Sequence, residues 1–297
     1  MLKMKTRILI NEGKHRLANA FVMDPGVDAE ALYSYLTGVD KVAVFMNAEK
    51  EVDPEVEEEY FRLIERRASR VPLQHITGCQ SFMGYNFKVN DKVLIPRQDT
   101  ETLVTEAARV IQAMPRKRPG LIDRIRGRDA MQVLDLCTGS GCVGISLSKI
   151  CTGIHVTCSD VSEDALTVAR ENASELHAKA DFCCGNMFEP HKGRKFDVIV
   201  SNPPYIRKAM IQILQEEVKD HEPVVALDGG RDGLDFYRII VGQAHEYLNP
   251  GGWLLVEIGH DQGEELRKMI KDSGRYSPAE VIRDLPGKDR VVKCKLI

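Results

Sequence analysis

The chain has 297 residues, of which 43% are hydrophobic and 29% charged, and its formal net charge is −3. That size allows one large or two smaller domains with ample core, and the near-balanced charge disfavours a nucleic-acid coat protein. No apolar run approaches membrane-spanning length, and residues 1–7 carry neither the apolar segment nor the cleavage site of a secretion signal. No membrane partner and a cytoplasmic location are therefore expected. Eight cysteines, at 79, 137, 142, 151, 158, 183, 184 and 294, form no C-x-x-C pair and have no histidine cluster beside them. That spacing gives no reason to expect zinc or another metal. Reduced thiols acting as small buried hydrophobes fit a cytoplasmic protein.

Residues 1–75 read as helical. Ile8, Leu9, Leu17 and Phe21 mark one amphipathic stretch; a second opens at Pro25-Gly26 or Asp28 and runs to Leu36; a short third opens at Asp40 with Val42, Val44 and Phe45. Asp53-Pro54 begins a fourth, with Asp53 placed to cap it and Pro54 at its first position. Glu55, Glu57, Glu58 and Glu59 then form an acidic first turn that suits the helix dipole and reads as a solvated face. Residues 76–95 change character. Gly78, Gly84 and Asn90-Asp91 separate β-prone pieces around Phe82, 87–89 and 93–95, which read as a β-hairpin linking two domains. Pro96 stops the last piece, and Asp99 or Thr100 is placed to cap a helix over 102–113. Arg97 and Glu101 are placed to pair at its start, with a role near a bound cofactor or substrate as the alternative. Between 115 and 128, Arg116, Lys117, Arg118, Arg124, Arg126 and Arg128 face a single acid, Asp123, among prolines and glycines. This reads as a solvated basic linker, with a nucleic-acid or ribosome contact as the alternative.

From 131 onward strands alternate with helices, as in a parallel doubly wound α/β sheet. Strands are expected at 132–136, 155–159, 181–184, 196–201 and 253–258, and helices at 142–150, 163–176, 234–247 and 262–269. A last antiparallel pair, 279–284 and 290–296, turns around Pro286-Gly287, and Trp253 reads as core. The first strand runs into Cys137-Thr138-Gly139-Ser140-Gly141, and Gly139, Gly141 and Gly144 complete a G-x-G-x-x-G pattern. Such glycines let backbone approach a ligand at a helix N-terminus, and Asp160 ends the next strand where a ribose-binding acid belongs. Alone, the pattern does not separate a nicotinamide cofactor from S-adenosylmethionine. Cys137 reads as a small residue lining the turn, since no His or Lys flanks it to activate the thiol.

The strand at 196–201 ends in Asn202-Pro203-Pro204-Tyr205. Two prolines fix two φ angles and remove two donors, leaving a rigid stretch of carbonyl acceptors. Asn202 adds an acceptor and a donor, and Tyr205 an aromatic face. The set suits a flat –NH2 on an sp² carbon, a poor nucleophile that must be held with its lone pair facing an electrophile. A dehydrogenase has no use for such a clamp; a methyltransferase acting on a planar amine does.

Several runs in order resemble the HemK/PrmC protein-glutamine N5-methyltransferases: Ile95-Pro96-Arg97-Gln98-Asp99-Thr100-Glu101, then Asp135 to Gly141, then Ser201 to Tyr205. His221-Glu222-Pro223, Ala226-Leu227-Asp228-Gly229-Gly230 and Glu257-Ile258-Gly259 continue the match. The resemblance implies a seven-stranded, Rossmann-like S-adenosylmethionine-dependent methyltransferase domain at 96–297, preceded by a helical substrate-binding domain at 1–75 and the hairpin linker at 76–95. It implies methylation of the glutamine of the Gly-Gly-Gln motif of peptide chain release factors. Cys137, Thr138, Gly139, Ser140 and Gly141 would line the methionine portion of the cofactor, Asp160 its ribose, and Asn186 and Met187 its adenine. Asn202 would also border the cofactor, and with Pro203 it would accept the two N–H groups of the glutamine amide; Pro204 would stiffen the clamp, and Tyr205 would fix the amide plane. Cys137 replaces a common glycine, Gln98 a common proline, and Met187 a common aromatic. Ser162 is expected to cap the helix after Asp160, and Glu257 to be structural. Direct nucleic-acid binding is not expected; an adenine-N6 methyltransferase is the alternative, because Asn-Pro-Pro-Tyr serves exocyclic amines too.

Overall fold

The computed structural model describes residues 3–115 and 130–297, so the basic stretch at 116–128 lies outside the described residues. The chain divides into two compact units. One holds the residues up to Cys79 with Gln215–His221; the other holds Gln80–Leu214 and Glu222–Ile297.

The first unit is built from helices α1 (Thr6–Asn19), α2 (Pro25–Thr37), α3 (Lys41–Met46), α4 (Pro54–Ala68) and α5 (Leu73–Thr77). Leu9, Leu17, Leu32, Tyr60 and Ile64 make its core. A Cβ on Gly13 would lie 2.3 Å from the Tyr60 hydroxyl, so glycine is what lets α1 lie against α4. Asp40 caps α3 by accepting from Ala43 N at 2.7 Å. Asp53 stands at the N-cap position of α4 without capping it; its carboxylate pairs with Lys3 at 3.1 Å instead. Pro25, not Asp28, opens α2, and Asp28 is buried against Arg67 at 2.7 Å. Arg67 also donates to Glu217 at 3.0 Å, whose other oxygen takes Arg70 at 2.5 Å. Removing one member of so buried a set leaves an uncompensated charge, so Glu217 ties the 215–221 segment to these helices.

In the chain between the helices and the main sheet, β1 (Cys79–Phe82) and β2 (Tyr85–Lys88) form the expected hairpin. Its turn residues, Met83 and Gly84, have φ of +51° and +78°, as a tight hairpin turn with right-handed twist requires. Residues 93–95 form no strand, because Asn90 turns the chain: its carbonyl accepts from Val93 N at 3.4 Å and its side chain from Lys92 N at 2.9 Å.

The second unit carries a seven-stranded sheet in the order β5-β4-β3-β6-β7-β9-β8. The strands are β3 (Met131–Leu136), β4 (Ile154–Asp160), β5 (Ala180–Cys184), β6 (Phe196–Ser201), β7 (Leu248–Glu257), β8 (Glu280–Arg283) and β9 (Asp289–Lys295). All pairings are parallel except those of β9, which runs antiparallel to β7 and β8. This is the predicted α/β architecture. Strand β7 begins at Leu248 and not at 253, because Leu248 pairs with Phe196 ahead of a register shift. Helices α6 (Glu101–Ala113) and α7 (Cys142–Ile150) cover one face over Val133, Val156, Val198 and Val200. Helices α9 (Asp235–Tyr247) and α10 (Gly263–Ser273) cover the other over Leu134, Ile199 and Leu254, while α8 (Glu163–Glu175) follows β4. Burial on both faces explains why these strands are continuous apolar runs. Strand order reverses at β3, between β4 and β6, and the crevice at the carboxyl ends there is where such sheets bind ligands.

Candidate active site

Strands β3, β4 and β6 deliver their carboxyl ends to one pocket. The turn after β3 is built on positive backbone angles, with φ +62° at Cys137, +55° at Gly139 and +81° at Gly141. Glycine adopts that region freely; a cysteine does so at about 1–2 kcal/mol. A Cβ on Gly141 would lie 2.7 Å from Ile145 Cδ1, and one on Gly144 would lie 2.6 Å from Cys158 Sγ and 2.9 Å from Asp135 Oδ2. These glycines let α7 start directly against β3 and β4.

Two carboxyls organise the turn. Asp135 is buried, and its Oδ2 accepts from the Thr138 hydroxyl at 2.6 Å and from Gly144 N at 2.8 Å. Burial pushes it up to about 7 against the pull of those donors. Asp160 accepts from Gly139 N at 2.9 Å and from Ser162 N at 3.0 Å. Burial raises its pKa too, opposed by backbone N–H groups of Ser162, Gly139 and Val161. Ser162 caps α8 through Ala165 N at 3.2 Å, which leaves Asp160 facing the pocket. Two of the three departures noted in the sequence meet: Cys137 Sγ lies 3.9 Å from Met187 Sδ.

Across the pocket, Ser201 donates to Leu136 O at 2.7 Å and ties the end of β6 to β3. Asn202 Nδ2 donates to Thr100 Oγ1 at 3.3 Å. Tyr205 turns its hydroxyl inward to Glu257 Oε1 at 3.2 Å, and its carbonyl accepts from Gln262 Nε2 at 3.1 Å. A Cβ on Gly229 would lie 2.7 Å from Tyr205 Cα, so the Ala226–Gly230 stretch packs directly along the motif. Burial pushes Glu257 up to about 7, with the Thr100 hydroxyl, Arg290 and Tyr205 opposing. Arg290 in turn pairs with Asp99 at 2.9 Å and Asp284 at 3.1 Å.

Cys137, Thr138, Gly139, Ser140, Asp160, Asn186, Met187, Asn202 and Pro204 all line this pocket, whereas Gly141, Pro203 and Tyr205 do not. Gly141 lies under the turn against Ile145 and Ala169, and Tyr205 anchors the motif from behind. Two local expectations change. Arg97 does not pair with Glu101; it donates to both oxygens of buried Glu222 at 2.6 and 2.7 Å, while Glu101 accepts from Met83 N at 2.7 Å in the hairpin turn. Neither Asp99 nor Thr100 caps α6 through its side chain, because Arg290 takes the first and Asn202 the second. Sequence reasoning also missed Val93, Val225 and Phe236 in the lining. The Glu222-Pro223 run was a signal for part of it; Thr100 sat inside a noted run but was read only as a cap.

A parallel sheet with one reversed strand, a glycine turn after its central strand and an acid at the end of the next, together with a methyltransferase family match, identify an S-adenosylmethionine-dependent methyltransferase. Residues 9–78 match the PrmC N-terminal domain and residues 120–229 the methyltransferase small domain. The chain is 42% identical over 276 residues to the release factor glutamine methyltransferase of Geobacter sulfurreducens, covering 93% of this chain and 91% of that one. It is 38% identical over 269 residues to the protein of the same name from Clostridium acetobutylicum, covering 89% of each. The chain belongs to the release factor glutamine methyltransferase family. A crystal structure of a methyltransferase from Pyrococcus furiosus shares the fold, with TM-score 0.50 and 17% identity over 80% of this chain and 98% of that one.

Proposed function

We propose that this enzyme transfers the methyl group of S-adenosylmethionine to the side-chain amide nitrogen, N5, of the glutamine in the Gly-Gly-Gln motif of peptide chain release factors. The observation that carries the reading is that Asn202 and Pro204 line the same pocket as the Cys137–Ser140 turn and Asp160. A clamp for a planar amine thus stands beside a cofactor-type turn.

The pocket suits that cofactor. Ser140 and Ser159 line it, and among the described residues the buried Ser159 hydroxyl has no hydrogen-bond partner. Asp160 accepts from Gly139 N and Ser162 N, and its carboxylate keeps acceptor capacity toward the ribose. Cys137 to Gly141 would border the methionine portion, and Asn186 and Met187 the adenine. When bound, the group supplies an electrophilic methyl on a sulfonium sulfur. Asn202 Oδ1 and the Pro203 carbonyl accept the two N–H bonds of the substrate amide and turn its lone pair toward that methyl. Pro204 holds the clamp rigid, and Tyr205, fixed through Glu257, sets its plane. The held nitrogen would take that methyl and leave the bonding pair on the sulfur, and the proton made acidic on the nitrogen would pass to solvent. Positioning and fixed dipoles supply the acceleration, without a covalent enzyme intermediate.

The helical unit exposes Phe21, Phe45 and Met46 at 85%, 83% and 79%, apolar side chains that a protein substrate would cover. Among the described residues no helix is long and apolar enough to cross a membrane, and a substrate of the translation machinery fits the cytoplasm. The test is transfer of labelled methyl to a purified release factor, beside a copy with the motif glutamine changed and beside duplex and single-stranded DNA. Label on the unaltered factor only is expected. Label on DNA overturns the substrate assignment.

A further inference from the structure

The amide of Asn202 has two ends of opposite chemistry. Its Oδ1 accepts an N–H; its Nδ2 opposes one. In the structure Nδ2 is turned to Thr100 Oγ1 at 3.3 Å. Thr100 is 1% exposed and lies at the start of α6, far from Asn202 in sequence. A hydroxyl has one hydrogen and two lone pairs. It holds Nδ2 only when its hydrogen points elsewhere. Glu257, also 1% exposed, gives that hydrogen a destination. Its Oε1 accepts from Tyr205 at 3.2 Å, among the described residues no donor sits in hydrogen-bonding geometry at its Oε2, and the Thr100 hydroxyl opposes the rise in its pKa that burial causes. A hydroxyl beside a buried carboxyl with an open oxygen directs its hydrogen there, which leaves Thr100 an acceptor toward Asn202.

We propose that Thr100, with Glu257 behind it, is a positioning residue that fixes Asn202 with its oxygen toward the pocket, so that the site takes a carboxamide –NH2 and rejects a carboxylate of the same shape. The proposal rests on the proposed function and adds the source of its selectivity for glutamine over glutamate. A glutamate side chain in the same pose would set carboxylate oxygen against both Asn202 Oδ1 and a proline carbonyl, with no donor between them. The Arg290 cluster with Asp99 and Asp284 supports the arrangement from behind, since it lies near Glu257 without pairing with it directly.

The test uses the full chain with Thr100→Val, which keeps shape and loses the hydroxyl, and Thr100→Ser, which restores it. Methyl transfer to a release factor is measured together with affinity for S-adenosylmethionine. The Asn202 side-chain amide is read in ¹⁵N–¹H spectra without substrate, assigned by its loss in Asn202→Ala. Thr100→Val is expected to lower kcat about 10- to 100-fold, with KM for the factor and cofactor affinity changed by less than about threefold. Its Asn202 amide protons should shift as well, and Thr100→Ser should restore both readouts. Wild-type kcat in Thr100→Val overturns the proposal, as does a loss that serine leaves unrepaired or an Asn202 signal indifferent to the substitution. A wild-type protein that labels no release factor, yet whose Asn202 signal responds to Thr100→Val and recovers in Thr100→Ser, overturns the substrate reading and leaves the amide orientation standing.

Discussion

The two turns that face each other across the pocket are held in opposite ways. The Cys137–Gly141 turn is fixed by its own backbone: three positive φ angles, a glycine at 141 and another just beyond it at 144 with no room for a Cβ, and the carboxyls of Asp135 and Asp160 accepting from N–H groups within and just beyond the turn. The Asn202–Tyr205 turn is fixed by side chains from distant segments, with Thr100 on Asn202, Glu257 on the Tyr205 hydroxyl and Gln262 on its carbonyl. A cofactor site made of backbone tolerates little change in local conformation. An acceptor site made of side chains is tuned from a distance. The two should therefore fail separately when broken.

The largest separation comes from Asn202→Ala. Truncating one oriented polar group in an active site costs at least about 100-fold in kcat, while cofactor affinity, set at the other turn, should move by less than about threefold. Titration with S-adenosylmethionine beside a single-turnover assay measures both. Parallel loss of affinity would mean that the turns are one site energetically. Gly144→Ala tests the other half. Its Cβ would meet Cys158 Sγ at 2.6 Å and Asp135 Oδ2 at 2.9 Å, so α7 must move from the sheet. Overpacking of that kind costs about 1–3 kcal/mol, and cofactor affinity should fall at least about tenfold with it. Denaturant unfolding and cofactor titration check the pair; unchanged affinity would remove the third glycine from the turn's design.

The same difference explains what the sequence disclosed. Gly139, Gly141, Gly144, Asp135 and Asp160 lie within one strand–turn–helix–strand run, so their spacing alone states their geometry. The seven strands were legible for a similar reason: runs such as Val198-Ile199-Val200 are apolar on both faces and bounded by turns. Asn202 to Tyr205 stood out by composition, yet their supports did not. Thr100 looked like a helix cap, and only the fold brings its hydroxyl to Asn202. Arg97 looked like a partner for nearby Glu101, but a buried carboxyl at Glu222 took it instead. Local rules lose where a distant buried group needs a partner more. The boundary of β7 was missed for the same cause, since Leu248 joins the sheet through Phe196 across a bulge that no period-2 pattern announces.

Each turn also buries one carboxyl against it, and the smallest predicted effect uses both. Burial pushes Asp135 from 3.8 and Glu257 from 4.5 up to about 7 in the folded chain. Between those ordinary values and about 7 the folded state holds protons that the unfolded state releases. The sign follows from linkage: this contribution is complete below the ordinary pKa values and is lost as pH rises through about 7. Other groups titrate as well, His191 in the opposite sense because burial lowers it to about 4, so the readable quantity is the difference between wild type and variant. Glu257→Gln should flatten the fall in melting temperature between about pH 5 and pH 8 and leave cofactor affinity unchanged. Asp135→Asn should flatten it too but weaken the cofactor, because Asp135 holds Thr138 and Gly144 in the turn. If the two variants shift cofactor affinity alike, the division between a backbone-built and a side-chain-built half of the site fails. If neither changes the pH slope, both carboxyls are already ionised in the folded chain, and Tyr205 and Thr100 stabilise a charge at Glu257 more strongly than its burial opposes one.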